Sequence, residues 1–176
     1  MTELLDAIYR GDRARADALL AEDPDLNVFE AAAVGRTDRL RELLDEDPTR
    51  ANAFGNDGFH PLGLACFFGN VDAARLLLDR GADPNVLARN EHIQTSALHA
   101  AAASENKDPE TRYELCKLLI ERGADVNLAQ GGREGDYRAI DAARQTGDAR
   151  LEQLLRAHRA RDSATSARPP MHRASR

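Results

Sequence analysis

Apolar residues recur along this chain in short groups at helical spacing, and each group stops near a glycine or a proline. Residues 56–88 show the pattern most clearly. Leu62, Ala65 and Cys66 stand at positions i, i+3 and i+4, which places them on one face of a helix. Residues 71–78 repeat this spacing. The pattern therefore predicts a pair of short helices.

Turn residues mark the limits of this helix pair. Asp57-Gly58 is a tight-turn dipeptide, and Pro61 stands where a first helical residue belongs. Gly69 interrupts the apolar pattern, and Gly81 is the expected stop residue of the second helix. Helices of this length are only marginally stable alone in water. The pair is therefore predicted to pack against further copies of itself.

The sequence contains such copies. Gly-Ala-Asp-x-Asn occurs at residues 81–85 and again at residues 123–127. Each copy follows a leucine-rich segment that ends in an acidic residue and an arginine, at residues 76–80 and 118–122. Two matching segments of this length indicate an internal repeat.

The repeat resembles that of the ankyrin family, in which a turn, a Thr-Pro-Leu-His-type helix start and two helices recur about every 33 residues. His60-Pro61-Leu62-Gly63 and Ser96-Ala97-Leu98-His99 occupy the helix-start positions. The resemblance covers residues 2–158. It implies a mainly α fold, an ankyrin-repeat solenoid of helix-turn-helix units with short β-hairpin or turn connections.

On this basis residues 1–158 form one ankyrin repeat domain with a shortened first unit. The spacing from Gly81 to Gly123 is 42 residues, about nine more than the family period. We assign the excess to the hairpin of the fourth unit and to residues 104–108, between its two helices. Arg138 replaces the expected helix cap, so the fifth unit departs from the family pattern at its hairpin. The predicted units are residues 2–27, 28–55, 56–88, 89–130 and 131–158.

Composition is consistent with one intracellular domain. Of the 176 residues none is tryptophan and 5% are aromatic, as expected where short helices stack closely. Cys66 and Cys116 fall on predicted helices and are predicted to be buried free thiols. The first residues do not resemble a signal peptide, and no apolar run approaches the ~18 residues of a membrane span. We expect a soluble, cytoplasmic monomer that does not enter a membrane.

Charge divides the chain into an acidic body and a basic end. Residues 159–176, here called the C-terminal tail, are rich in Ser, Ala, Pro and Arg and are predicted to be disordered. Residues 156–176 contain six arginines and one aspartate, a net charge of +5. Since the whole chain carries −6, the remainder carries −11. A tail-driven binder of nucleic acid or of another acidic surface is the alternative function, which the acidic body disfavours.

Sequence motifs for catalysis, metal binding or phosphate binding are absent. We therefore expect no enzyme activity, no catalytic residues, no metal, no cofactor and no small-molecule substrate. His99 occupies the position at which ankyrin repeats usually hydrogen-bond a neighbouring unit, so a structural role is expected. For His60, at a helix start, capping is favoured over ligation.

Binding is the function that the resemblance implies, because hairpin tips and inner helices of this fold form a concave surface for a protein partner. Phe59, Phe68 and Tyr9 are the proposed anchors, with Arg10 and Arg80 as charged rim residues. The alternative for Phe67 or Phe68 is packing under the adjacent inner helix. The complete set of candidate contact residues is Tyr9, Arg10, Val34, Phe59, Phe67, Phe68 and Arg80.

Overall fold

A computed structural model describes residues 2–22, 24–103, 108–132 and 137–159. Within these residues ten α-helices follow one another in pairs, with one short 3₁₀ helix and two short strands. Two expectations concern residues outside this part of the chain. One is the extra segment between the helices of the fourth unit, of which residues 104–107 lie outside. The other is the disorder of the C-terminal tail beyond Arg159.

The helices alternate between an inner and an outer position in each unit. The inner helices are α1 (Glu3–Tyr9), α3 (Val28–Val34), α5 (Pro61–Phe68), α7 (Ala97–Ala103) and α9 (Ala139–Gln145). The outer helices are α2 (Arg13–Ala21), α4 (Thr37–Glu46), α6 (Val71–Asp79), α8 (Pro109–Glu121) and α10 (Ala149–Ala157). The 3₁₀ helix spans Pro48–Asn52. The mainly α repeat architecture is thereby confirmed.

Polar residues at the helix starts explain where the helices begin. Asn27 Oδ1 accepts hydrogen bonds from the backbone N–H groups of Phe29 and Glu30, and the Asn27 N–H donates to Glu30 Oε2. Asp108 caps α8 in the same way, with Pro109 at the first helical position. The predicted start of α8 is therefore confirmed.

Small side chains let the inner helices stack in sequence. Helix α3 packs on α5, α5 on α7, and α7 on α9. Ala31, Ala65, Ala101 and Ala142 are fully buried along this row. Leucines of the outer helices close the same continuous core from the other side. Cys66 and Cys116 lie inside it as buried free thiols, as predicted.

A ladder of asparagines connects the loops that close successive units. Asn52 Nδ2 donates to the Gly81 carbonyl at 2.9 Å, and Asn85 Nδ2 donates to the Gly123 carbonyl at 3.0 Å. Asn127 Nδ2 donates to the carbonyl of Arg159 at 3.2 Å. Asn85 and Asn127, the last residues of the two Gly-Ala-Asp-x-Asn motifs, therefore hold the next unit in register, and Asn52 does so without the motif.

The fourth and fifth units are also joined by a two-stranded antiparallel sheet. Strand β1 (Ile93–Gln94) pairs with β2 (Gly131–Gly132), with Ile93 opposite Gly132. The fifth unit thus has a strand connection in spite of Arg138 at its helix start. Residues 133–136 of that connection lie outside the described part of the chain.

Candidate inner-helix binding groove

An apolar groove crosses the inner-helix face of the array and has a cavity volume of about 350 Å³. We call it the inner-helix groove. Helices α1, α5, α7 and α9 contribute to it, together with β1 and the residues that precede the inner helices. Its lining consists of Tyr9, Phe59, His60, Gly63, Leu64, Phe67, Ile93, Thr95, His99, Ala100, Ala103, Gln130, Tyr137 and Gln145.

Two large apolar side chains of the groove are unusually open to solvent. Phe67 and Ile93 are each 46% exposed. Within the described part of the chain they are the two exposed large hydrophobic residues. Exposed apolar side chains that gather in one concave site are typical of interaction surfaces. The groove therefore offers hydrophobic surface for a ligand or a partner to cover.

Beneath these side chains lies a second apolar cluster. Tyr9 packs against Phe59 and Phe68, with ring centroids 6.4 and 5.6 Å apart. Phe67 meets Phe68 edge to face at 5.0 Å. The same cluster rests on three buried residues from α1, α3 and α5, namely Leu5, Ala33 and Leu64. This cluster forms the apolar floor of the groove, since Tyr9, Phe59 and Leu64 belong to both.

The two tyrosine hydroxyl groups of the groove have partners within the protein. Tyr9 Oη donates to Asp57 Oδ2 at 3.4 Å, and Tyr137 Oη donates to Gln145 Oε1 at 2.8 Å. Burial, followed by the Asp57 carboxylate, raises the pKa of Tyr9. The described lining residues are all uncharged at neutral pH, so the groove favours uncharged apolar groups.

The candidate contact residues that the sequence suggested lie in three different environments: the groove lining, the apolar packing, and ion pairs away from the groove. Tyr9, Phe59 and Phe67 line the inner-helix groove. Phe68 is half-buried in the cluster below it, and Val34 packs against the main core. Two candidates lie away from the lining: Arg10 forms an ion pair with Asp6, and Arg80 with Asp45 of α4.

Ile93 and Tyr137 are groove residues that the sequence reasoning missed. A signal existed for Tyr137, since it directly precedes the helix-start residue of α9 as Phe59 does that of α5. The backbone repeats this equivalence: the Phe59 carbonyl accepts from Gly55 N–H, and the Tyr137 carbonyl from Gln130 N–H. Ile93 lies in the enlarged hairpin of the fourth unit, where the repeat offers no equivalent position.

The two histidines of the groove stand at different positions of the four-residue helix start: His60 is the first residue in the third unit, and His99 is the fourth in the fourth unit. In the fourth unit the Ser96 hydroxyl lies 2.7 Å from His99 Nδ1, and His99 Nε2 lies 3.1 Å from the Tyr137 carbonyl. This bond to the next unit confirms the structural role expected for His99. In the third unit the imidazole stands at the first position instead, and His60 Nδ1 accepts from the Gly63 N–H at 3.1 Å. Helix capping by His60 is therefore confirmed.

Gly63 leaves room for the His60 ring at the first position of the helix start. A Cβ at Gly63 would stand 3.2 Å from Cε1 and Nε2 of His60, so the ring fills the space that a fourth-position side chain would need. His60 is 3% exposed, and its Nε2 has no hydrogen-bond partner among the described residues. Burial lowers the pKa of His60 to about 4, against the opposing effects of the Val86 backbone and the Asp83 charge.

We expect acid to destabilise the fold through His60. Its pKa lies below the ordinary 6.5, so the unfolded chain takes up a proton first as the pH falls. The free energy of unfolding should fall by about 3 kcal/mol between pH 7 and pH 4 from this residue. Burial lowers the pKa of His99 as well, which adds loss of the same sign. Urea unfolding followed by circular dichroism at each pH measures the loss.

The control for this prediction is His60→Asn, since asparagine also caps a helix start but does not titrate. We expect the variant to be less stable at pH 7 and to lose less stability on acidification. The comparison is sharpest above pH 4.5, before the carboxylates titrate. An unchanged pH dependence in the variant would contradict the assignment to His60.

Metal sites and membrane spans are two other features that bear on function, within residues 2–22, 24–103, 108–132 and 137–159. Groups of three or more His, Cys, Asp or Glu side chains placed to hold a metal ion are absent there. In the same residues no helix combines the length and the apolar character needed to cross a bilayer.

Comparison with known proteins agrees with the fold. The family described as "Ankyrin repeats (3 copies)" matches residues 4–88 and 29–130, which together cover well over half of the chain. This protein belongs to the ankyrin repeat family. Ankyrin repeats are protein–protein interaction modules.

Relatives include several larger proteins. The chain is 28% identical over 153 residues to rat "Ankyrin repeat and SAM domain-containing protein 6", covering 82% of this chain and 16% of the relative. It is 32% identical over 142 residues to the Ornithorhynchus anatinus protein "Ankyrin repeat, SAM and basic leucine zipper domain-containing protein 1", covering 81% and 28%. Human "DNA-binding protein RFXANK" is 37% identical over 79 residues, covering 45% and 30%. The chain thus spans less than a third of the length of each.

Proposed function

We propose that this protein binds a protein partner through the inner-helix groove and performs no catalysis of its own. The observation that carries the proposal is the exposure of Phe67 and Ile93 above the aromatic floor of the groove. The resemblance to ankyrin repeats places partner contacts on the concave surface of hairpin tips and inner helices. The groove is lined by residues of these same elements. We further propose that the protein acts as a monomer in the cytoplasm.

The structure shifts the proposed anchors within the site. Phe67 and Ile93 present open apolar surface, whereas Phe59 and Phe68 are partly covered by Tyr9 and by each unit's own packing. Apolar and aromatic residues in the centre of an interface commonly carry most of its binding energy. We therefore assign the primary contacts to Phe67 and Ile93, with Phe59, Phe68 and Tyr9 holding them in place.

The test is the double variant Phe67→Ser with Ile93→Ser. Both side chains are half exposed, so the fold should be retained, as circular dichroism would verify. Partners are first selected with the full chain from a displayed peptide library and from cell lysate, and their affinities are then measured by calorimetry. We expect the double variant to bind at least about tenfold more weakly, which corresponds to about 1.4 kcal/mol.

The matched control replaces two exposed cations of the outer helices, Arg41→Ser with Lys117→Ser. These residues lie on α4 and α8, away from the groove lining. We expect this variant to bind like the wild type. Equal affinity of the groove variant and the wild type for every selected partner would overturn the proposal.

The alternative function is binding of nucleic acid or another acidic surface by the arginines of the C-terminal tail. The net charge of +5 on residues 156–176 favours it, and the −11 of the remainder opposes it. Binding by phosphate contacts weakens steeply as salt is added. A partner whose affinity falls steeply with salt and ignores the groove variant would support this alternative.

A further inference from the structure

The repeat geometry continues to the last described residue. Asn127 donates to the carbonyl of Arg159 as Asn85 donates to that of Gly123. Arg159 has a φ of 66°, in the region that Gly81 and Gly123 occupy with φ of 85° and 90°. Arg159 thus takes the position of a unit-closing glycine. In the earlier units the chain passes from this position into the hairpin segment, toward the inner helices.

The number of residues along that path can be compared directly. In the preceding unit the chain reaches the inner-helix groove at Gln130, seven residues after Gly123. The same number of residues after Arg159 ends at Ser166. Pro169 follows three residues later, a reach of at most ~11 Å in an extended chain. Since neighbouring helices lie ~8–10 Å apart, this reach brings the proline segment from a sixth-unit position to the fifth-unit end of the groove, beside Tyr137 and Gln145.

The chemistry of this segment matches the groove. Pro169, Pro170 and Met171 are consecutive apolar residues within an otherwise polar and basic stretch. Proline-rich segments lose little conformational entropy on docking and are recognised by aromatic-lined grooves. A methionine thioether makes favourable contacts with aromatic rings. The basic tail is also attracted to the body, which carries −11.

We propose that the Pro169-Pro170-Met171 segment of this chain docks in its own inner-helix groove and competes there with the protein partner. The inference rests on the proposed function, because both use Phe67 and Ile93. It goes further by naming an occupant for the groove in the absence of a partner. Binding of a partner then requires release of the segment.

The test compares two full-length proteins, the wild type and the variant Pro169→Ser/Pro170→Ser/Met171→Ser. A fluorescent peptide with the sequence of residues 164–176 is titrated into each. A tethered segment acts at an effective concentration of about millimolar. We expect the peptide to bind the triple variant at least tenfold more tightly than the wild type. Adding Phe67→Ser and Ile93→Ser to the triple variant should abolish binding.

A charge control separates groove docking from general attraction. The variant Arg168→Ser/Arg173→Ser keeps the apolar segment and removes two cations. We expect it to exclude the peptide nearly as well as the wild type does. If this variant binds the peptide as tightly as the triple serine variant, the tail is held by charge and the docking proposal is wrong.

Other results would also overturn the inference. Equal binding of the peptide by the wild type and the triple variant, or binding by neither, contradicts docking in the same chain. A concentration-dependent dimer in sedimentation that the triple variant abolishes would mean that the segment occupies a second copy. If selected partners need Phe67 and Ile93 but bind the wild type and the triple variant equally, the proposed function stands and this inference fails.

Discussion

Arg112→Ala should lower the free energy of unfolding by about 3 to 5 kcal/mol, the largest effect we expect from a single substitution. Arg112 Nη1 lies 3.0 Å from Asp148 Oδ2, and the two side chains are only 7% and 8% exposed. Asp148 also caps α10, since its Oδ1 accepts from the Leu151 N–H at 2.9 Å. Removing the guanidinium leaves a buried carboxylate without its cation, which is costly.

This loss should also reduce the coupling between the fourth and fifth units, because Arg112 lies on α8 and Asp148 precedes α10. Urea unfolding measures the total loss. Amide hydrogen exchange should show that α9 and α10 open more readily than the first three units. Exchange that accelerates equally along the whole array would indicate that the pair does not act at this junction.

An exposed ion pair between the same two helices provides the control. Arg150 pairs with Glu110, with side-chain exposures of 58% and 68%. Solvent screens such a pair, so Arg150→Ala should cost far less stability than Arg112→Ala. The combination Arg112→Met with Asp148→Asn should recover part of the stability, because asparagine retains the cap and the uncompensated charge is gone. Similar losses for Arg112→Ala and Arg150→Ala would contradict the role of burial.

Gly58→Ala should lower the free energy of unfolding by about 2 to 4 kcal/mol. Gly58 has a φ of 81°, where a side chain is strained. A Cβ there would also stand 2.6 Å from the Arg89 carbonyl carbon and the Asn90 nitrogen, both backbone atoms of the next hairpin. The Gly58 carbonyl accepts from the Arg89 N–H at 2.8 Å, so the two hairpins cannot separate without losing this bond.

Gly81→Ala is the matched control for Gly58→Ala. Gly81 has nearly the same φ, 85°, but a Cβ there would meet no heavy atom within 4 Å among the described residues, its chain neighbours aside. Only backbone strain remains, which costs about 1 to 2 kcal/mol. Chemical denaturation of both variants separates strain from contact. Equal losses would show that the next hairpin moves aside without cost.

The predictable part of this protein is local. Helix starts at Asn27 and Asp108 follow from side chains that cap the backbone within three residues, and the helical period places Leu62, Ala65 and Cys66 on one face. The repeated Gly-Ala-Asp-x-Asn motif indicated the ankyrin fold because it recurs with the unit. The resemblance to ankyrin repeats also indicated that His99 would bond the next unit, as it does.

The groove was predictable only in part. Tyr9, Phe59 and Phe67 were identified because they occupy positions that the ankyrin resemblance assigns to partner contacts, but the resemblance does not state which of two adjacent phenylalanines is covered. Phe68 is covered by Tyr9, 59 residues earlier in the chain, whereas Phe67 remains 46% exposed. The fraction of a side chain left open depends on neighbours that sequence spacing does not reveal.

The sequence alone determined the repeat, the helix pairs, their caps and the acidic body with its basic end, because these depend on neighbouring residues and on composition. Only the tertiary structure decided that Arg80 pairs with Asp45 of the preceding unit and that Ile93 joins the groove. Both outcomes depend on how the units stack. Stacking brings together residues more than thirty positions apart, and no local pattern records those contacts.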